Sequence, residues 1–425
     1  MKACIHRGSK EIGGTCVEIE SQGKRIVLDV GLPLDLADPE QFPLHPIKGF
    51  DAPDPDLLGV VISHPHQDHY GLAHRLPKET PFLIGKAAEA ILAAADVFSP
   101  AGLLLERVVH LGDRKPINLR PFIITPFLVD HSAYDAYAVL VEADGAALFY
   151  TGDLRAHGRK GKLFQKLLRL PPEHVDVLVM EGTTIGRLGT DSGFPTEAEL
   201  EDRFVELFKQ TPGMPLVWCS GQNIDRIVTI FRACKKAGRQ FIIDMYTAHI
   251  LRATGNEQLP QAGCDGIKVF LPKSQKWQII QKKEFELAKS YKASRIYPES
   301  LGDELSRSVM LFRPSMMRDV EEAGCLGGSR LICSVWGGYL KNEKNKPLLD
   351  WLHRHGIPLD ECHTSGHAAV KDLVKLRKTF AGAPVVPIHS NQPDRFEELF
   401  GNVNRLADGE WWEVENDGWV KRSLP

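Results

Sequence analysis

Histidine and aspartate are concentrated in one short stretch, Ser63-His64-Pro65-His66-Gln67-Asp68-His69-Tyr70-Gly71. Imidazole and carboxylate groups are ligands of Zn²⁺ and Mn²⁺, and the stretch has no cysteine thiolate that would close a structural zinc site. The apolar residues 57–62 precede it and predict a buried strand, so the ligand-type residues would lie in a loop at a strand end. We therefore predict an open metal site; the alternative is a surface loop that is merely rich in His and Asp.

Two later strand ends carry residues of the same kind. His131 follows the apolar residues 123–128, and Asp153 follows residues 147–150. Each residue alone is more often structural than functional. Together with the first cluster, however, three strand-to-loop junctions that converge at one sheet edge are typical of open metal sites. Asp29 ends a further strand, where it either hydrogen-bonds a ligand histidine or caps a turn.

Residues that can bind a metal or an anion occur again near the end of the sequence. His389 follows the apolar residues 385–388 and is either a further ligand or a core histidine. The triplet Ser365-Gly366-His367 precedes a predicted helix over 369–379. Backbone N–H groups at such a helix terminus, together with the Ser365 hydroxyl, predict an anion-binding position that suits phosphate.

A basic run follows Asp153 directly. We interpret it either as a track for substrate phosphates or as a solvated charged loop. Its members are Arg155, His157, Arg159, Lys160 and Lys162.

The elements that must position these residues fall into two patterns. The first sixty residues read as short strands in an antiparallel meander, followed by an Ala-rich helix over 86–98 and a second strand series with an Asp144-Gly145 turn. From residue 175 short apolar strands alternate with amphipathic helices, which predicts a parallel α/β layer. In that layer Thr196 and Glu199 form a predicted capping box, and a helix is predicted over 275–288. Residues 411–421 read as a closing hairpin.

Composition indicates a globular protein of about two domains. The chain has 425 residues, of which 43% are hydrophobic and 25% charged, and its formal net charge of −3 gives no general attraction to nucleic acid. The eight cysteines are scattered without a C-x-x-C pair, which indicates reduced thiols in a cytoplasmic protein. The sequence shows no export signal and no segment long enough to span a membrane, so no membrane association is expected.

The motifs together resemble a known superfamily. The order His64-x-His66-x-Asp68-His69, His131, Asp153 is similar to the metallo-β-lactamase superfamily. Glu181, Ser365-Gly366-His367 and Pro387-Ile388-His389 resemble the additional motifs of its β-CASP branch, which comprises nucleases, and within that branch the chain is most similar to ribonuclease J-type proteins.

This resemblance implies an α/β fold, namely a metallo-β-lactamase αββα sandwich with an inserted α/β β-CASP domain. The sandwich would comprise residues 1–185 and 361–425, and the insertion residues 186–360. The resemblance also implies that the extra C-terminal domain of longer ribonuclease J enzymes is missing, which leaves monomer and dimer both open. Gly182 stands where relatives usually carry Ser, and Ser220-Gly221-Gln222-Asn223 remains unassigned.

The resemblance further implies a site with two divalent metal ions, either Zn or Mn. One ion would be held by His64, His66, His131 and Asp153, and the other by Asp68, His69, Asp153 and His389. Two such ions activate a shared water for phosphodiester hydrolysis. Asp68 would orient or deprotonate that water, His367 would contact the phosphate or protonate the leaving oxygen, and Glu181 would fix a histidine tautomer. Phosphate binding would involve Ser365, Gly366, His367, Arg159 and Lys160.

The expected substrate is single-stranded RNA, because His389 in the third motif resembles the RNA-acting members, whereas the DNA-repair members tend to carry Val there. DNA remains an alternative. A small-molecule metallohydrolase would explain the first ligands but would leave Glu181 and His367 without a role. A non-catalytic RNA-binding scaffold would be expected to lack several of the ligands, all of which this sequence retains.

Overall fold

The computed structural model describes residues 1–34, 36, 41–187, 189–415 and 418–421 and divides into two compact units. Unit 1 comprises Met1–Leu92, Leu103–Phe194 and Gly366–Pro425, and unit 2 comprises Ala93–Gly102 and Pro195–Ser365. Residues 93–102, which the boundaries predicted from the sequence leave in the first domain, cluster with unit 2. The assignment of the inserted segment as a β-CASP domain stays a prediction.

Strands and helices are labelled here in chain order. The strands are β1 Lys2–Arg7, β2 Cys16–Ser21, β3 Lys24–Leu28, β4 Leu57–Val61, β5 Phe82–Gly85, β6 Val108–Leu111, β7 Ile117–Leu119, β8 Phe122–Leu128, β9 Tyr137–Ala143, β10 Ala146–Tyr150, β11 Val177–Glu181, β12 Pro215–Trp218, β13 Gln240–Asp244, β14 Ile267–Phe270, β15 Arg295–Ile296, β16 Ser308–Phe312, β17 Arg330–Cys333, β18 Leu359–Glu361, β19 Val385–Ile388, β20 Trp411–Glu415 and β21 Gly418–Lys421. The α-helices are α1 Gln67–Tyr70, α2 Lys86–Asp96, α3 Gly161–Arg169, α4 Glu197–Gln210, α5 Ile224–Lys236, α6 Met245–Ala253, α7 Lys273–Lys282, α8 Phe285–Ser290, α9 Pro298–Leu301, α10 Met317–Glu322, α11 Lys346–Arg354, α12 Val370–Thr379 and α13 Phe396–Phe400.

Unit 1 contains two sheets. The first has the strand order β21-β20-β1-β2-β3-β4-β5-β6, and the second has the order β19-β11-β10-β9-β8-β7. The predicted antiparallel meander is present as β1, β2 and β3. The turn between β9 and β10 has positive φ at both Asp144 and Gly145, as a two-residue hairpin turn requires.

The core of unit 1 lies between these two sheets. Side chains of the first sheet, such as Leu28 and Val61, share one buried cluster with Val139, Leu148 and Ile388 of the second sheet. A separate cluster on the outer face of the second sheet includes residues of α3, α12 and α13, and another on the outer face of the first sheet includes residues of α2. Unit 1 is therefore an αββα sandwich.

Unit 2 is built on a third sheet with the order β15-β14-β13-β16-β12-β17-β18, in which neighbouring strands are parallel. Helices connect these strands, as the alternating pattern predicts. Helix α4 begins with the predicted capping box: the Thr196 side chain accepts a hydrogen bond from the Glu199 N–H, and the Glu199 carboxylate accepts one from the Thr196 N–H.

Two predicted elements differ in the structure. The helix predicted over 275–288 is split into α7 and α8, because Lys283 adopts a left-handed conformation with φ of 60° and ends the first helix. The Ala-rich helix ends at Asp96 rather than at residue 98. The closing hairpin is present, with β20 paired to β1. Within the described residues, no helix combines the length and the apolar character that crossing a bilayer requires.

Candidate metal centre

The ligand-type residues of unit 1 lie where strands end. Strand β4 of the first sheet leads into the His64 loop, and β8, β10 and β19 of the second sheet lead to His131, Asp153 and His389. Strands β10, β11 and β19 run parallel, with Tyr150 opposite Val179 and Glu181 opposite Ile388. Because carboxyl ends of parallel strands meet at one sheet edge, Asp153, Glu181 and His389 converge there.

Asp29 holds the first histidine loop in place. Its carboxylate accepts hydrogen bonds from the Ser63 N–H at 2.7 Å, the Ser63 hydroxyl at 2.8 Å and the Tyr150 hydroxyl at 2.6 Å. The Nδ1 atom of His69 lies 2.8 Å from Asp29 Oδ2. Of the two interpretations of Asp29 left open by the sequence, the structure shows the one in which it orients a histidine. The contact directs His69 Nε2 toward Asp153, 3.0 Å away.

The first group of potential ligands consists of His64, His66 and His131. One ring nitrogen from each lies within 4.8 Å of the other two. His66 Nδ1 and His131 Nε2 are 3.2 Å apart. His64 and His131 are fully buried, whereas His66 is partly accessible. His64 Nε2 lies 3.7 Å from Asp153 Oδ2, so Asp153 borders this group.

A second group contains Asp68, His69, Asp153 and His389, again with ligand atoms within 4.8 Å of one another. His389 Nε2 lies 3.6 Å from Asp68 Oδ2 and 3.8 Å from Asp153 Oδ2. His389 has φ of 52°, a left-handed conformation that is uncommon for a histidine and that lets its side chain turn into the cluster as β19 ends. Asp153 thus stands next to both groups.

Glu181 and His367 form a third group with Asp153. His367 Nδ1 lies 3.3 Å from Glu181 Oε2 and 3.6 Å from Asp153 Oδ2. The buried Glu181 carboxylate also accepts hydrogen bonds from the N–H groups of Leu154 and Thr183, each at 3.2 Å. Glu181 is therefore fixed by the backbone and can hold the His367 ring in one orientation.

Burial sets the charge states of most of these histidines. It lowers the pKa of His64, His131 and His389, and that of His66 to about 4, so these rings are neutral and carry a free lone pair at neutral pH. His69 behaves differently. Burial opposes its charged form, but the carboxylates of Asp153, Asp29 and Asp68 raise its pKa well above the usual value.

Several buried atoms at the centre make no hydrogen bond within the described residues. They are His64 Nε2, His131 Nδ1, His389 Nε2 and Asp153 Oδ1. Leaving a buried polar atom without a partner costs free energy, so four such atoms in one place indicate that something else satisfies them. Neutral imidazole nitrogens beside carboxylate oxygens fit divalent cations such as Zn²⁺ or Mn²⁺.

The basic run after Asp153 proves to be heterogeneous. Arg155 is fully buried, and its Nε donates to Asp130 Oδ1 at 3.3 Å, so it cannot serve as part of an exposed phosphate track. His157 is also buried. Lys160 donates to the Ala133 carbonyl at 3.2 Å and lies 5.4 Å from the Tyr134 ring centre, while Arg159 is partly accessible. Lys162 is exposed.

The buried pair of Arg155 and Asp130 has a structural role instead. Asp130 also accepts a hydrogen bond from the Gly158 N–H at 2.8 Å, and its own carbonyl accepts one from the Arg155 N–H at 2.7 Å. These bonds tie the loop that carries His131 to the loop that carries Asp153. Sequence reasoning missed this pair, although an Asp directly before His131 and an Arg shortly after Asp153 were visible signals.

The remaining residues predicted to contact phosphate lie where the chain passes from unit 2 to unit 1. Gly366 and His367 belong to unit 1, whereas Ser365 is the last residue of unit 2. Gly366 lies close to the His131 loop, since a Cβ atom there would be 2.6 Å from Ser132 Oγ and 3.4 Å from the His131 ring. Helix α12 begins only at Val370.

Comparison with known proteins adds to this geometry. Residues 10–99, which include the first histidine cluster, match the metallo-beta-lactamase superfamily. Ribonuclease J of Helicobacter pylori (strain ATCC 700392 / 26695) is 27% identical over 252 residues, which cover 56% of this chain and 35% of that protein. Ribonuclease J of Mycolicibacterium smegmatis is 25% identical over 248 residues, covering 55% of this chain and 42% of that protein. The matches thus span about two fifths or less of these relatives.

A solved structure resembles almost the whole chain. It is a crystal structure of a protein of unknown function from Enterococcus faecalis V583, with a TM-score of 0.78 and 22% sequence identity. The superposition covers 96% of this chain and 99% of that one. At this level of identity the likeness shows a shared fold.

Proposed function

We propose that this chain, which resembles ribonuclease J and carries a metallo-β-lactamase superfamily domain, is a metal-dependent nuclease that hydrolyses phosphodiester bonds of single-stranded RNA. One observation carries the proposal. Asp153 borders two groups of mostly buried histidines, and atoms of Asp153, His64, His131 and His389 have no hydrogen-bond partner within the described residues. Such a donor set suits two divalent cations that share one carboxylate.

In this proposal one ion is held by His64, His66, His131 and Asp153. The other is held by Asp68, His69, Asp153 and His389. When bound, such ions activate water and stabilise the charge that develops on a phosphodiester. The donor set does not select between Zn²⁺ and Mn²⁺, because imidazole and carboxylate accept both.

Accessibility supports separate roles for Asp68 and His367. The side chains of His64, His69, Asp153 and His389 are at most 2% exposed, whereas Asp68 is 13% and His367 is 19% exposed. A group that exchanges a proton with water or substrate must be reachable from solvent. We therefore assign Asp68 to orient or deprotonate the attacking water, and His367 to contact the phosphate or protonate the leaving oxygen.

Glu181 has a supporting role in this scheme. Burial disfavours a charged His367 ring, but the Glu181 and Asp153 carboxylates raise the pKa of His367 overall. A protonated His367 can donate a hydrogen bond to a phosphate oxygen or deliver a proton.

Phosphate binding would extend to Gly366, Ser365, Arg159 and Lys160. If Arg159 and Lys160 contact phosphates, neutralising both should reduce the slope of log K against log salt for single-stranded RNA by about 0.7 per lost contact. An unchanged slope would remove them from the interface.

RNA is the proposed substrate because the relatives are named ribonuclease J and because His389 in the third motif resembles the RNA-acting members of the β-CASP branch. A cytoplasmic location is proposed with it, since all eight cysteines are free thiols.

The test is a digestion assay on single-stranded RNA and DNA with 5′-monophosphate, 5′-triphosphate or 5′-hydroxyl ends. Metal-free protein is supplied with Zn²⁺ or Mn²⁺, and Asp153→Asn is compared with Asp176→Asn. Asp176 is a buried carboxylate directly before β11, at the end of that strand opposite Glu181, where it accepts a hydrogen bond from the Ala147 N–H. We expect metal-dependent RNA cleavage that Asp153→Asn abolishes and Asp176→Asn retains. Cleavage of DNA alone, or of neither polymer, would refute the RNA proposal.

A further inference from the structure

Thr15 contacts two members of the second ligand group, Asp68 and His389. It is fully buried, directly before β2, and its Oγ1 lies 2.9 Å from His389 Nδ1. Its N–H donates to the Asp68 carbonyl at 3.1 Å, and its own carbonyl accepts from the Gly31 N–H at 3.0 Å. One residue therefore links the backbone of the Asp68 loop to the ring of a histidine that is distant in sequence.

The Thr15 hydroxyl is both a donor and an acceptor, and the direction of its hydrogen bond with Nδ1 is linked to which nitrogen of His389 carries the lone pair. If Nδ1 carries the proton, it donates to Thr15 Oγ1, and the unprotonated Nε2 points toward Asp68 and Asp153, at 3.6 and 3.8 Å. A proton on Nε2 would instead occupy the position that a cation needs. In metal sites, a partner on the other ring nitrogen fixes the tautomer and the ring orientation in this way.

The backbone of His389 is held independently of its ring. Its N–H donates to the Gly8 carbonyl at 2.8 Å, and its carbonyl accepts from the Thr183 hydroxyl at 3.3 Å. The left-handed backbone sets where the side chain starts, and only the Thr15 contact addresses Nδ1 among the hydrogen bonds of the described residues. Thr15 is therefore the residue placed to orient the ring, and when its Oγ1 accepts from Nδ1 the lone pair of His389 lies on Nε2.

We infer that Thr15 is a positioning residue, which keeps His389 in the Nδ1–H tautomer so that its Nε2 can bind the second cation. The inference rests on the proposed metal centre. It predicts that the Thr15 hydroxyl affects the affinity of one cation and leaves the other, held by His64, His66, His131 and Asp153, unchanged.

The experiment titrates metal-free protein with Mn²⁺ and with Zn²⁺ by calorimetry, and compares Thr15→Val, Thr15→Ser and the matched control Thr183→Val. Thr15→Val is nearly isosteric and removes only the hydroxyl, whereas Thr15→Ser keeps it. Thr183→Val removes another buried hydroxyl that contacts the same histidine, but at its carbonyl. We expect Thr15→Val to weaken one of two binding steps by about 10- to 100-fold. Thr15→Ser and Thr183→Val should keep both steps close to those of the unaltered protein.

A metal-free measurement complements the titration. In protein with ¹⁵N-labelled histidine, nuclear magnetic resonance should show His389 as the Nδ1–H tautomer, and Thr15→Val should lose that preference while Thr183→Val keeps it. Unchanged metal affinity in a folded Thr15→Val variant, or an Nε2–H tautomer in the unaltered protein, would overturn the inference. Two intact binding steps without nuclease activity would instead refute the proposed function and leave the role of Thr15 to be decided by the affinities.

Discussion

Replacing Asp29 by Asn tests the network behind the candidate centre, because it changes charge with little change in shape. Asp29 has φ of 58°, and Asn tolerates this left-handed conformation about as well as Asp does. Any effect of Asp29→Asn therefore reports on hydrogen bonding and charge rather than on backbone strain.

The magnitude follows from the contacts of the two carboxylate oxygens. Oδ2 contacts the Ser63 hydroxyl, the Tyr150 hydroxyl and His69 Nδ1, while Oδ1 accepts from the Ser63 N–H. The Asn side chain can keep one oxygen in the Oδ2 position, but its NH₂ group then faces the Ser63 N–H. The loss of one hydrogen bond to a charged acceptor should cost about 1.5–3 kcal/mol of unfolding free energy. For a unit of this size that corresponds to a fall of about 3–12 °C in melting temperature.

Differential scanning calorimetry on metal-free protein measures this change without interference from bound ions. The comparison is Tyr150→Phe, which removes one of the three donors to Oδ2 and should also cost about 1.5–3 kcal/mol, but leaves the carboxylate beside His69 in place. A metal titration should in addition show about 10- to 100-fold weaker binding by Asp29→Asn, because a neutral amide oxygen is a weaker partner for His69 than the carboxylate. An unchanged melting temperature and unchanged metal affinity in Asp29→Asn would refute this account of the network.

Three further predictions concern other parts of unit 1. Gly31→Ala should destabilise the unit by about 1–3 kcal/mol or more and weaken metal binding, because a Cβ there would lie 1.8 Å from the backbone oxygen of Asp68. Urea unfolding measures the change, and Gly382→Ala, which has open space around it, is the control. Arg155→Met should cost about 3–5 kcal/mol in the same assay because the buried Asp130 carboxylate loses its Arg155 partner, and the double variant with Asp130→Leu should recover much of the loss. Burial lowers the pKa of His45 to about 4, so below about pH 6.5 the unfolded chain takes up a proton that the folded protein does not. The free energy of unfolding therefore falls as the pH drops from about 6.5 to about 4. His45→Phe should flatten that part of the stability profile of metal-free protein, and an unchanged profile would contradict the role given to His45.

The sequence was most informative where a local pattern carries the chemistry. His64, His66 and His69 stand out because they are close in sequence and follow an apolar strand, and the later strand ends at His131 and Asp153 repeat that arrangement. Strand periodicity also predicts the layers that carry them. Such inferences need only neighbouring residues, which is why they could be made without coordinates.

Contacts between distant segments were beyond this kind of reasoning. Asp29 remained ambiguous because its partners are supplied by other strands, and Thr15 gave no signal because a single buried threonine before a strand is unremarkable. Arg155 looked like one more surface cation, since its burial depends on Asp130 in another loop. The break after α7 was missed because Lys283 adopts a left-handed conformation that no glycine or proline announces.

The way the candidate centre is divided along the chain has a consequence for synthesis on the ribosome. The first ligand group is complete once residue 153 has been made, whereas the second group requires His389, which follows unit 2 and β19. Because distant strands pair slowly and domains fold as they emerge, the first of the two proposed cations would be captured while the chain is still growing. The second must await nearly the full length of the described chain. Under the proposed two-ion scheme, a nascent protein would hold one ion without the second and would not cleave RNA until residue 389 has been made.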